Sequence, residues 1–332
     1  MRTSCLVFVV FSAIASIAAH PVNQQRDIRI IGRTESVKVV AETSSNRLEM
    51  LSIGNQAFRD KLTKETPDLL KKLADEGQEP PFMFLGCSDS RVSEGTVFNA
   101  QPGTLFTQRN IANQYHKTDP NAQSVLSYAV SELGVSHVIV MGHYGCGGVA
   151  ASIASAPSAA IDAASGSIQN WISPIRSLYE TSTRAEIVEH RAKHGNATLV
   201  EEPEISDPGF RALVEENVKA SVNSIVKDSV ISNHFSALAT AKNATAVTRR
   251  SGEAGPAKDV FVHGFVYDIE TGIVHDLGVT VGPPGVPIPS IPFAAVAKAA
   301  TETANAHGSD SAHSTEAPKK RSRRGLLRRF SS

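Results

Sequence analysis

The stretch that decides the fold is FMFLGCSDSRV, residues 82–92. From Phe82 to Gly86 the chain carries no polar side chain at all. A short continuous apolar run of this kind marks a strand covered on both faces, as in a parallel sheet. It stops abruptly at Cys87, followed by Asp89 and Arg91. In open α/β sheets ligands gather beyond the carboxyl ends of the strands. The stretch therefore places a thiol, a carboxylate and a guanidinium where such a fold keeps its site.

Working outward, GTLFTQ (103–108) reads as a second strand, and SHVIVMG (136–142), rich in β-branched residues, as a third. NAQSVLSYAVSEL (121–133) between them reads as a helix stopping at Gly134. Upstream, Leu48, Leu51, Phe58, Leu62, Leu69, Leu70 and Leu73 recur at helical spacing over 47–74, and EGQEPP breaks that helix. Downstream, GCGGVAASIASA opens another helix, NWISPIRSLYE reads as one capped by Ser173–Pro174, and 207–231 reads as one long helix. Residues 233–259 read as loop. VFVHGFVYDIETGIVHDLGV (260–279) alternates and turns at Thr271–Gly272, the pattern of a hairpin. The predicted fold class is α/β, a mainly parallel central sheet flanked by helices with a C-terminal β-hairpin edge. The predicted organisation is a signal peptide (1–19), an N-terminal arm (20–46), one catalytic domain (47–281) and a disordered Pro/Ala/Ser-rich tail with a basic end (282–332).

Composition bounds the function class. Of 332 residues, 41% are hydrophobic and 20% charged, an ordinary globular balance. Seven of the 33 basic residues follow Glu316, leaving 26 against 33 acids upstream, so a mildly acidic body carries a short basic tail. That argues against a nucleic-acid partner for the body. The run Cys5–Ala19 after Arg2, with small residues near Ala18 and Ala19, has the layout of a secretory signal, which predicts secretion. The alternative is a mitochondrial presequence, since no acid precedes Asp27. A permanent membrane anchor would need about 20 apolar residues, more than the run supplies. Cleavage would remove Cys5 and leave Cys87 and Cys146. Asn196 and Asn243 each open an NAT sequon, meaningful in a secreted chain.

The second motif is GHYGCGG (142–148). His143 and Cys146, three apart on a tight turn, can face one point, and Cys87 can join them from a neighbouring strand end. Two thiolates and an imidazole suit zinc, and three protein ligands leave a fourth position open. Asp89 is the nearby candidate for that position, yet Arg91 two residues on can grip its carboxylate bidentately. Asp89 on zinc would displace solvent; Asp89 on Arg91 would leave water bound and able to become hydroxide near neutral pH. Other readings of the thiols are a Cys87–Cys146 disulfide, buried apolar filler and a redox dithiol, which lacks the usual close spacing. His190 and His194, four apart in EHRAKH, have metal-binding spacing but no evident anionic partner, and read as a solvated helix face. His263 reads as packing beside the hairpin.

CSDSR followed by HYGCGG resembles the paired signatures of the β-class carbonic anhydrases, which reversibly hydrate carbon dioxide to bicarbonate. GQEPPFM, QPGTLFTQRNIAN, SVLSYAVSELGVSHVIVMGH, NWISPI and VHGFVYDIETG resemble that family's blocks in the family's order, from about Leu48 to Val279. The resemblance implies one zinc per chain on Cys87, His143 and Cys146, with Asp89 and Arg91 as a gating pair and Asp89 a possible fourth ligand in a closed state. The plant-like branch further implies Gln78 donating to the zinc-bound ligand, Phe106, Ile111 and Tyr128 lining the carbon dioxide pocket, and the Gly147 amide facing the ligand. It also implies a homodimer or homotetramer, because the family builds its cleft between subunits. Candidate proton shuttles are Tyr144 or a water chain through Asp89. Rival functions are hydrolysis of another small heterocumulene such as carbon disulfide, or a non-catalytic structural zinc module.

Overall fold

The computed structural model describes residues 47–157, 162–243 and 258–296. The expected signal segment, the N-terminal arm and the basic tail end lie outside these residues. Helix α1 (Arg47–Glu65) forms a unit by itself. Gln56 Nε2 donates to Asp60 Oδ1 at 2.7 Å and Thr63 Oγ1 to the Arg59 carbonyl at 2.9 Å, while Leu48, Met50, Leu51, Ile53 and Phe58 are exposed. The single helix expected over 47–74 is two, since α2 spans Leu69–Glu76. Pro67 lies at the break, where a residue without an N–H cannot continue the ladder.

The body is built on β1 (Phe82–Cys87), β2 (Leu105–Asn110), β3 (His137–His143), β4 (Phe261–Asp268) and β5 (Ile273–Asp276), in the order β2-β1-β3-β4-β5. The first four are mutually parallel and β5 pairs antiparallel with β4, so the expected hairpin edge is present. The register puts Cys87 opposite Asn110 and Gly86 opposite Met141, so Cys87, Asn110 and His143 all end their strands on one rim.

Alternation sorts the strand residues by face. Met83, Leu85, Val138, Val140 and Val262 pack with Leu126 and Ala129 from α4 (Pro120–Ser127) and the wider turn after it, and with Val218, Val222 and Ile225 of a long helix described below. Phe84, Ile139, Met141 and Phe265 pack on the other face, with Phe98 just after α3 (Glu94–Val97) and with Phe293. After β3 come α5 (Gly147–Ile153), α6 (Ala163–Thr181), α7 (Ala185–His194), α8 (Pro208–Val226) and α9 (Ser229–Asn243). Gly142 and Gly264 let α8 approach: a Cβ on Gly142 would lie 2.6 Å from Val218 Cγ2, and one on Gly264 3.2 Å from Val222 Cγ2.

Four further expectations change. Pro174 does not cap a helix but lies inside α6, where the Asn170 carbonyl that its missing N–H leaves free accepts Ser173 Oγ instead, at 2.8 Å. The helix expected over 207–231 breaks between α8 and α9 at Asp228, whose Oδ1 accepts the Val230 amide at 2.9 Å. Residues 233–243, read as loop, belong to α9. Residues 282–296, read as the start of a disordered tail, lie against the sheet: Asp276 pairs with Ala295, and the Phe293 ring centroid lies 5.1 Å from that of Phe265. Among the described residues no helix is long and apolar enough to cross a membrane.

Candidate metal centre

Strand β1 delivers Cys87 and β3 delivers His143 to the same rim. Gly145, with φ of 73°, turns the chain back so that Cys146 precedes the first residue of α5. One donor atom each from Cys87, His143 and Cys146 lies within 4.8 Å of the others, and all three residues are buried. Both thiols are free, with sulfurs 3.9 Å apart. A disulfide needs about 2.05 Å, whereas two sulfurs on one tetrahedral zinc at about 2.3 Å each stand about 3.8 Å apart. His143 Nδ1 meets the Tyr144 carbonyl at 3.0 Å, which fixes the N–H there. His143 Nε2 is buried with no hydrogen-bond partner, although buried ring nitrogens normally have one. This orphaned nitrogen beside two close sulfurs is the donor set and spacing of a zinc site, and the residues present fit the ion.

The two thiols share their acidity unequally. The Cys146 thiol, hydrogen-bonded to Cys87, and then His143 pull the Cys87 thiol below its ordinary range against the opposing effect of burial. Cys146 is pushed up by the same contact with Cys87 and by burial.

Asp89 is engaged by arginine. Arg91 Nε donates to Oδ1 at 3.0 Å and Nη2 to Oδ2 at 2.6 Å, and the Arg91 amide adds a bond to Oδ1 at 2.9 Å. This grip brings the carboxyl down to about 2 despite partial burial. Asp89 Oδ2 still lies 3.8 Å from His143 Nε2. Arg91 Nη2 also reaches the Gly145 carbonyl at 3.0 Å, tying the two signature loops together.

Several supporting residues were not among the site candidates read from the sequence. Arg109 on β2 donates to the Cys87 carbonyl at 2.8 Å and the Asp89 carbonyl at 2.7 Å, clamping the first loop. Buried Glu215 on α8 accepts the Tyr144 hydroxyl at 2.7 Å and Arg184 Nη1 at 2.6 Å. The Arg211 guanidinium stands 3.5 Å over the Tyr144 ring. Trp171 Nε1 donates to the Ile111 carbonyl at 2.8 Å, and Asn217 to that of Ala112 at 2.8 Å, holding the corner after β2 where Ala112 takes φ of 61°. Tyr144, a candidate shuttle, is 2% exposed and bonded to Glu215, so it has no path to solvent.

The expected pocket residues separate within one chain. Ile111 lies beside the metal turn, since a Cβ on Gly148 would be 2.7 Å from Ile111 Cγ2. Gly147 opens α5 with free space around it, as a Cβ there would meet nothing within 4 Å. Phe106 pairs with Met83 near the amino ends of the strands, about 13 Å from the Asn110 end at about 3.3 Å per residue. The Tyr128 ring stacks on it with centroids 5.7 Å apart and is half exposed. Gln78 is exposed before β1, at the same remote end. The chain does not bring Gln78, Phe106 and Tyr128 to its own metal-binding residues.

Comparison with known proteins agrees with this geometry. A family profile described as carbonic anhydrase matches residues 82–253. A carbonic anhydrase of Emericella nidulans is 32% identical over 215 residues, covering 64% of this chain and 75% of that one. A tetrameric β-carbonic anhydrase of Sordaria macrospora superposes with a TM-score of 0.54 at 26% identity, covering 71% of this chain and all of that one. A β-carbonic anhydrase of Aspergillus fumigatus gives 0.52 at 29% identity, covering 70% and 92%. With its zinc donors, parallel sheet and paired signature loops, the chain belongs to the β-class carbonic anhydrase family, zinc lyases that interconvert carbon dioxide and bicarbonate.

Proposed function

We propose that the chain hydrates carbon dioxide reversibly to bicarbonate and a proton at the rim formed by Cys87, His143 and Cys146. The observation that carries this reading is the bidentate Arg91 grip on Asp89, which leaves three donors for the ion and keeps the carboxylate from serving as a fourth. Zinc, when bound, supplies a Lewis acid that lowers the pKa of a water molecule toward neutrality. Cys87, Cys146 and His143 Nε2 hold the ion. Asp89, anionic at neutral pH, acts only as an acceptor and so orients the attacking water's O–H. Arg91 cancels its charge. Ile111 excludes bulk water from one side and the Gly147 amide faces the ligand position. The product proton leaves for buffer from the Asp89 side.

Gln78, Phe106 and Tyr128 serve this site from a second copy of the chain, which completes the pocket as a homodimer or homotetramer. Support comes from their joint position at the opposite ends of the strands and the half-exposed Tyr128 ring. A structural zinc role finds no support in Asp89, which Arg91 occupies. Export from the cell is part of the same reading, supported by the run Cys5–Ala19 and by exposed Asn196 after α7. Recovery from culture medium of a chain beginning near His20 tests export; an intracellular processed chain overturns it.

Stopped-flow hydration with zinc and oligomer mass measured on the same sample tests the activity. One zinc per chain with hydration well above buffer is expected. Zinc-loaded protein with no hydration above buffer overturns the reading, and a fully active monomer overturns the shared pocket.

A further inference from the structure

Helix α7 presents His190 and His194 one turn apart, and the structure does not leave them on a solvated face. His190 is 5% exposed and His194 is half-buried. Their ring centroids are 4.3 Å apart with planes inclined by 34°. Both rings have Nδ1 occupied: that of His190 meets the Tyr179 hydroxyl at 2.8 Å, and that of His194 meets the His190 carbonyl at 2.9 Å. A carbonyl only accepts, so His194 donates from Nδ1, which leaves Nε2 as the ring nitrogen available to a ligand. His190 Nε2 faces Asp207 Oδ1 at 3.8 Å. That is too long for a hydrogen bond, yet near the separation of about 3.4 Å between two ligands on one ion at about 2.1 Å each.

We propose that His190, His194 and Asp207 form a second divalent transition-metal site, remote from the Cys87–His143–Cys146 centre. Two imidazoles and a carboxylate are a zinc donor set, and a second-sphere bond on each Nδ1 is how metal-binding histidines are oriented. Here the acceptor and the hydroxyl come from the chain itself. The three residues line a cavity of about 610 Å³ whose rim adds Glu201, Glu202 and Glu204. These acids attract a cation and can supply a further oxygen. Among the described residues only the Cys87 group gathers three donors within 4.8 Å. The second site is wider than the first, and binds more weakly and exchangeably.

The test is a zinc titration of the purified full chain, read by equilibrium dialysis and elemental analysis, with cobalt absorption as a second probe. Wild type is expected to keep one tight equivalent and take up a second that a mild chelator strips first. His194→Ala keeps a good helix former on α7, and Asp207→Asn keeps a residue able to cap α8. Each is expected to weaken the second equivalent at least tenfold while the tight one stays. Saturation of wild type at one equivalent overturns the proposal. So does a second equivalent that survives in both variants with unchanged affinity, which places it elsewhere on the chain.

Discussion

Replacing Tyr144 by phenylalanine separates a structural role for this residue from a proton-carrying one. The hydroxyl donates to Glu215 Oε1 at 2.7 Å, and Arg184 Nη1 holds Oε2 at 2.6 Å. Glu215 has only 7% of its side chain exposed. Deleting the hydroxyl leaves one oxygen of a buried carboxylate without its donor, while the ring and its Arg211 contact remain. A hydrogen bond to a charged group contributes about 1.5–3 kcal/mol. Taking about 2 kcal/mol, at about 2–4 °C per kcal/mol for a domain of this size, the melting temperature falls by about 4–8 °C. The hydroxyl lies beneath the metal-binding turn, and burial followed by the Glu215 charge raises its pKa, so it cannot relay protons to buffer. Hydration kcat is therefore expected to stay within about twofold of wild type, on a scale where tenfold corresponds to about 1.4 kcal/mol of barrier. The assay is stopped-flow hydration across a range of buffer concentrations, beside thermal unfolding. A kcat lowered tenfold or more and restored by added buffer, at unchanged melting temperature, would refute the reasoning.

Asp89→Asn is expected to retain its zinc and lose hydration by about 10²-fold or more, because an amide no longer only accepts; undiminished turnover contradicts the role given to Asp89. Stripping zinc with a chelator should expose Cys87 and Cys146 to a thiol reagent and allow them, now 3.9 Å apart, to close a disulfide on oxidation; equal thiol reactivity with and without zinc contradicts the ligand assignment. Gly142→Ala should destabilise the fold by about 1–3 kcal/mol in denaturant, since its Cβ meets Val218 on α8 at 2.6 Å; an unchanged midpoint contradicts the close packing. Burial, then His137, brings His263 down to about 4 from its ordinary 6.5. Its stabilisation is thus complete above pH 6.5 and lost as pH falls toward 4, by up to about 3 kcal/mol. His263→Phe should flatten that part of the stability–pH curve, and an unaltered slope contradicts the assignment.

The local chemistry was legible wherever one segment carried it. Cys87, Asp89 and Arg91 lie on one loop, and the spacing of His143 and Cys146 is a property of a single turn. The parallel strands were legible because an apolar run covered on both faces needs no distant information. Boundaries were less so: Pro174 ought to end a helix, and only the proximity of Ser173 Oγ to the Asn170 carbonyl shows how α6 runs on. His190 looked like a surface residue because its helix alone does not reveal that Tyr179 and Asp207 cover it.

By itself the amino-acid order determined the donor types, their loops and the α/β architecture, since short-range periodicity and residue chemistry suffice for those. Tertiary structure alone decided that Arg91 grips both oxygens of Asp89, that Arg109 and Glu215 brace the two loops, and that Phe106 and Tyr128 stand far from their own chain's Cys87. Those outcomes depend on strand register and on contacts between residues tens of positions apart, where a shift of a few ångströms exchanges one partner for another and no local pattern records the choice.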